Sequence, residues 1–490
     1  MRVFLLWADK SAELVHLMKA LNSAPHTLVY WLGQTGAEAN NQPGVIFHPH
    51  TDANAGIPAK GVDTSAFEPP SKELIERLYK VESIVMTMLN RTMDAACVDE
   101  RKHFYYELLR YWLGVIRAYK PDVLIFPVEP HGAYDYIAYE LAKIMGIKTF
   151  CFTESRVSDR LLHMTDIREG SPTLLKMLEK NRGKSFTLDD LSADIRAYYL
   201  KHSGSGKDST PQYVSYLKNK YSFFHRFTFG KISRSIRDGT FFSKIYRLLF
   251  VEKNFLMLRR FAVELTYTVR PNLKKEYRSL EFQADLSEKF IYAPLQVQPE
   301  RSTSPMGDMF VDQILMLETI SASLPPGWKI YVKEHPIQWV RIGSHFSSSR
   351  YPGYYQKISR LKNVTLVPIE TSSFELMRAS QAVATVTGAP GWEAMVRGKP
   401  ALVFGYAWYK ESPAAFRVRD VASCQDALRA IEKGEVAEKN DIINYLKCLD
   451  EASIHGFIAG SNAATATVNR QQNFEGITEL ILRELKSYEA

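Results

Sequence analysis

The 490-residue sequence has few cysteines, no long apolar run and no recognisable metal-binding string. Its 4 Cys, at Cys97, Cys151, Cys424 and Cys448, lie far apart and form no CxxC pair. That spacing argues against a thiolate zinc site and, with no export signal, leads to the expectation of reduced thiols in a cytosolic protein. No stretch of about 18 uncharged apolar residues occurs, so no membrane-spanning helix is expected. The opening MRVFLLW is interrupted by Asp9 and Lys10, and no small-residue cleavage site follows. It reads as a first core strand rather than a signal peptide. There is no HExxH and no DxD in a suitable loop, so no metal is expected; His48 and His50 lack partners and read as a loop pair.

What is present is ample apolar content, 46% of residues, in a length that suggests two to four domains. The formal charge is +8, and its position matters more than its size. Residues 211–280 hold 15 basic and 4 acidic residues, an excess of +11 that leaves the rest of the chain at −3. The same segment is rich in aromatics, among them Phe223, Phe224, Phe241, Phe242 and Tyr246. A basic, amphipathic, aromatic stretch is suited to an anionic membrane surface.

Short apolar strands alternate with helical periods through both halves, which predicts βαβ units and mainly parallel sheets. In the first half, MRVFLLW, HTLVYWLG, PDVLIFP and IKTFCFTES read as strands. KFIYAPLQ, WKIYVKEHP, NVTLVP, QAVATVTG and PALVFG follow in the second. The expected organisation is an N-terminal α/β domain over 1–165, and a polar linker with the basic helical segment over 166–285. A second α/β domain over 286–420 and C-terminal helices over 421–490 that pack back across the domains complete it. The fold class is α/β, two Rossmann-like doubly wound domains in a GT-B-like arrangement with the ligand crevice between them.

Ligands of such sheets bind at the carboxyl ends of the strands. KEHP places Lys333, His335 and Pro336 at one strand end, where an ammonium and an imidazole N–H suit a phosphate. TGAPGWEA places Thr387, Gly388 and Gly391 at a strand-to-helix turn, where backbone N–H groups favour an anion, with Glu393 in the first turn to accept from a ribose. LQVQPERSTS supplies Gln296 and Gln298 in a polar cluster with Glu300, Ser302, Thr303 and Ser304, which equally suits a helix cap. In the first half, VEPHGAYDY and TESR present Asp135, Glu129 and Glu154 as carboxylates able to take a proton from an acceptor hydroxyl. Structural ion pairs with Arg156 or Arg160 are the alternative reading.

The strings YAPLQVQPERSTSPMGDMFVDQ, WKIYVKEHP and VTGAPGWEAMVRGKPALVFGYAWY together resemble the bacterial capsule polysaccharide biosynthesis family, which includes β-Kdo transferases of GT-B form. The resemblance implies a glycosyltransferase of capsule or other surface polysaccharide synthesis, with a nucleotide-sugar donor, Kdo on CMP being one, and a lipid-linked or glycan acceptor. In it, His335 and Pro336 contact the donor phosphate, and Gly391, Trp392 and Glu393 match the family's Gly-Trp-Glu stretch. No cofactor beyond the donor is expected, nor is nucleic acid. Expected partners are the donor, the acceptor and an anionic membrane surface at 211–280, and the expected location is cytoplasmic, peripheral at the inner membrane. The alternatives are a nucleotide-sugar epimerase-like enzyme and a non-catalytic capsule assembly or export protein.

Overall fold

A computed structural model describes residues 1–9, 11–35, 42–93, 96–204, 237, 273–339, 350–459, 463 and 466–489. The expected membrane contact at 211–280 therefore lies outside the described residues, apart from Arg237 and 273–280.

The first sheet contains β1 (Arg2–Leu6), β2 (Thr27–Gly33), β3 (Ile46–Pro49), β4 (Val123–Ile125), β5 (Lys148–Glu154) and β6 (Arg160–Met164). The second contains β7 (Phe290–Pro294), β8 (Lys329–Lys333), β9 (Val364–Leu366), β10 (Ala382–Thr385), β11 (Ala401–Val403) and β12 (Ala415–Arg417). A last strand, β13 (Ile454–His455), returns to the first sheet beside β6. The orders are β13-β6-β5-β4-β1-β2-β3 and β12-β11-β10-β7-β8-β9. Counted from its own first strand, each sheet has the doubly wound order 3-2-1-4-5-6. All pairings in the second sheet are parallel, whereas β6 runs antiparallel to β5 in the first.

Parallel order follows from strands that are apolar on both faces. Along β1, Phe4 and Leu6 join one core with Tyr30, Leu124 and Trp112, while Val3 and Leu5 join another with Trp31, Val123 and Ile125. Because side chains alternate with period 2, one apolar run serves both layers. The Val98–Tyr119 and Ala133–Ile144 helices cover the first face, and the Glu13–Leu21 and Arg470–Glu489 helices cover the second. The chain from Val421 onward is thus shared between the two sheets. The Val421–Lys433 helix packs on Gln313–Ser323, the Lys439–Ala452 helix on Pro172–Lys180, and Arg470–Glu489 on Glu13–Leu21.

His48 is not a loop histidine. It is 1% exposed, and its Nε2 faces the Ile57 carbonyl at 2.9 Å while Tyr30 Oη lies 2.6 Å from Nδ1. Tyr111 Oη meets Tyr30 Oη at 2.9 Å and accepts from the Ala59 N–H at 3.0 Å. One assignment satisfies every group: Ala59 N–H to Tyr111, Tyr111 to Tyr30, Tyr30 to Nδ1, and Nε2–H to Ile57.

Candidate functional site

A cleft of about 890 Å³ opens between the two sheets, lined from both sides by residues that follow strands. Glu129 and His131 after β4, and Glu154 and Arg156 at the end of β5, face residues from the ends of β7, β8, β10 and β11. This is the crevice expected outside the carboxyl ends of two doubly wound sheets. Cross-lobe bonds set its width: Lys80 to Asp308 at 2.6 Å, Thr87 to Ser304 at 2.7 Å, Arg301 to Glu129 at 2.9 Å, and Lys410 to the Glu169 carbonyl at 2.7 Å.

In the C-terminal lobe the KEHP turn is held from behind. Glu334, 1% exposed, accepts from Arg350 Nε at 2.8 Å, Tyr355 Oη at 2.7 Å and the His335 N–H at 2.7 Å. Arg350 also donates to Gln298 Oε1 and, at 3.1 Å, to the Gln296 carbonyl, so one buried guanidinium ties the loops after β7 and β8 together. His335 Nδ1 accepts the Ile337 N–H at 3.3 Å, which puts the proton of the neutral ring on Nε2. His335 and Pro336 line the cleft. Lys333 lines it too, with its ammonium donating to the Thr371 carbonyl and, at 2.9 Å, to Ser373 Oγ.

Gln296 and Gln298 line the cleft, yet their amides bond protein. Gln296 Oε1 accepts the Thr387 N–H at 3.0 Å, and Gln298 Nε2 donates to the Val311 carbonyl at 2.5 Å. Thr387, Gly388 and Glu393 line it as well. Gly388 is the N-cap of the Ala389–Val396 helix, so Glu393 stands beyond the first turn where the sequence reading placed it. Gly391 is off the lining; a Cβ there would lie 2.6 Å from Tyr409 Oη and 2.9 Å from Thr385 Cγ2. That glycine serves helix-to-strand packing, which corrects the expectation that it admits a phosphate.

The N-terminal carboxylates divide. Asp135 does not line the cleft: its Oδ1 accepts the Gly132 N–H at 2.7 Å, the reciprocal half of a capping arrangement at the Ala133–Ile144 helix. Burial pushes its pKa up to about 7, against the Gly132 N–H and Arg91, which favour the anion. Its reading as catalytic base is thereby corrected to a helix-capping role. Glu129 is 4% exposed and paired with Arg301. Glu154 accepts the Ile458 and Ala459 N–H groups at 2.8 and 3.1 Å. Both line the cleft, and both are engaged.

Glu300, which sequence reasoning placed only within a polar cluster, is a further carboxylate of the cleft lining. It sits on the loop after β7, at the switch point between β7 and β10, exposed to the cleft while protein encircles it. Desolvation raises its pKa, and Arg156, Arg91, the Ser302 hydroxyl and Arg301 oppose that rise. Nearby His131 donates from Nδ1 to the Glu129 carbonyl at 2.9 Å; burial, with Arg301 and Arg91, pushes its pKa down to about 3. The ring is therefore neutral at physiological pH.

Residues 265–412 match the family model described as capsule polysaccharide biosynthesis protein. This stretch of the C-terminal lobe is similar to that family. The match spans less than half of the chain and includes all three strand-end motifs. Among solved structures, the chain is similar to Thermosulfurimonas dismutans KpsC, described as a beta Kdo 2,7 transferase, at 11% identity over 70% of this chain and 80% of that one, TM-score 0.31. It is also similar to the UDP-GlcNAc 2-epimerase from Methanocaldococcus jannaschii, at 10% identity over 99% and 100% of the chains, TM-score 0.25. For Anabaena Alr3699/HepE in complex with UDP-glucose the identity is 16% over 44% and 52%, TM-score 0.21. At these scores the likenesses carry no argument about chemistry. No curated protein sequence matches the chain significantly.

Asp159, Asp194 and His455 lie close enough to share an ion among the described residues. The space is taken by the buried Arg160 guanidinium, 2.9 Å from Asp194 and 3.4 Å from Asp159, which already supplies the positive charge.

Proposed function

We propose that the protein is a glycosyltransferase of capsule or related surface-polysaccharide synthesis that moves a sugar from a nucleotide donor to a lipid-linked or glycan hydroxyl. The observation that carries this reading is that the strand-end residues of the family-like motifs, His335 and Glu300 among them, line one cleft between the two sheets. In the transfer, the acceptor oxygen forms a bond to the anomeric carbon and the bond from that carbon to the nucleotide phosphate oxygen breaks. The electron pair leaves on the phosphate, which His335 Nε2–H and the positive end of the Ala389–Val396 helix dipole stabilise. Glu300 takes the acceptor proton. Glu129 and Glu154 orient the N-terminal wall around it.

The family resemblance favours CMP-linked Kdo as donor, and an interfacial acceptor suits the basic aromatic segment at 211–280, set against anionic lipid on the cytoplasmic face. With CMP-Kdo as probe, Glu300→Gln is expected to lower CMP release by about 10²-fold or more while CMP affinity stays within twofold. Undiminished release in that variant would remove Glu300 from the reacting centre.

A further inference from the structure

The turn between β5 and β6 puts two non-glycine residues in the left-handed region, Arg156 at φ 60° and Ser158 at φ 52°. Such backbone is costly unless its surroundings hold it. Arg156 is exposed to the cleft, and its charge is the largest opposing the rise in the Glu300 pKa. The turn is closed by its own bonds, Ser155 N–H and Oγ to the Arg160 carbonyl at 3.1 and 3.0 Å and Val157 N–H to Ser155 Oγ at 3.2 Å, and the C-terminal part of the chain braces it from outside. Asp159 Oδ2 accepts from Thr467 N at 2.8 Å and Thr467 Oγ1 at 2.6 Å, and its carbonyl accepts the Gly456 N–H at 2.8 Å. Arg160, 2% exposed, reaches Asp450 at 2.8 Å, and β13 pairs with β6 through Arg160 and Leu161. At the other end of the turn, Glu154 takes its two N–H groups from Ile458 and Ala459.

We propose that Asp450, β13 and Thr467 form a clamp that fixes the Glu154–Asp159 turn and so holds Arg156 opposite Glu300, making Asp159 and Thr467 positioning residues of the cleft. The functional weight given to Glu300 rests on the transferase reading; the clamp geometry does not. Neither positioning residue lines the cleft.

The test is the titration of the Glu300 carboxyl carbon in the full chain carrying ¹³C-labelled glutamate, the resonance assigned by its loss in Glu300→Gln. The charged and polar groups facing Glu300 are Arg156, Arg91, Arg301 and Ser302. Loosening the turn withdraws Arg156 and leaves the other three. Thr467→Val should therefore raise the midpoint by about half a pH unit, Asp159→Asn by more, and Thr467→Ser should keep the wild-type value. Thr467 is exposed, so Thr467→Val keeps the test open if Asp159→Asn fails to fold. A midpoint unmoved in folded Thr467→Val, with its melting temperature lowered by loss of the hydroxyl bond, would overturn the clamp. If the wild type binds no nucleotide, the transferase reading falls, and the midpoint still decides the clamp.

Discussion

At the scale of single residues, burial and one or two neighbours decide what each titratable group can do. His48 shows this for stability. Desolvation lowers its pKa in the folded chain, against the Ile57 carbonyl and Asp52. The unfolded chain, with a histidine near its ordinary value of about 6.5, then binds the proton more readily. The stabilisation is complete above that value and is lost as pH falls below it. The melting temperature should drop between pH 7 and pH 5, and His48→Gln should flatten that part of the profile; parallel profiles would contradict the buried neutral ring. Gly391 is a steric case. Gly391→Ala drives a Cβ against the buried Tyr409 hydroxyl and should cost about 1–3 kcal/mol by denaturant unfolding. An unchanged midpoint would show that Tyr409 yields.

At the scale of elements, the loops after β7 and β8 act as one unit because the Arg350–Glu334 pair spans them. Removing one member of such a buried pair leaves the other uncompensated, at about 3–5 kcal/mol. Glu334→Gln should lower stability by that order and weaken nucleotide binding together, since His335 N–H loses its charged acceptor. A variant as stable as wild type would mean that Arg350 finds another anion. This pair also marks where reading the sequence ends. KEHP was visible because an apolar strand stops at a proline, and its histidine does reach the cleft. That Glu334 turns inward was not visible, because its partner lies 16 residues away in the sequence. Asp135 was misread for a related reason. A strand end and a helix start coincide in VEPHGAYDY, and the Gly132-x-x-Asp135 spacing was the available sign of a cap. Glu300 was within reach, since it follows the first strand of its sheet, but two glutamines and three hydroxyl residues around it made the loop read as hydrogen-bonding surface.

At the scale of the whole molecule, the alternation of apolar strands with helical periods was enough to anticipate two doubly wound sheets. Strand length and apolar content on both faces are local properties, and right-handed crossovers set the hand of each connection, whereas the 3-2-1-4-5-6 order itself is set by tertiary packing. The return of the chain to the first sheet through β13 and the Arg470–Glu489 helix is non-local, and it is what lets the C-terminal residues reach Glu154 and Asp159. No helix among the described residues is long and apolar enough to cross a membrane; contact with anionic lipid is the role proposed for the basic aromatic segment at 211–280. Wild-type protein should float with anionic liposomes, and a variant with the Lys and Arg of 211–280 depleted should not; equal flotation of both would remove that role.

The central claim is that the C-terminal half of the cleft holds a nucleotide through His335. Titration calorimetry with CMP, UDP and GDP tests it most directly. The account predicts saturable binding of one of the three, CMP being favoured by the family resemblance, and a loss of about tenfold or more in affinity for His335→Ala with the melting temperature unchanged. Binding of none of the three, or equal affinity in wild type and His335→Ala, would contradict it.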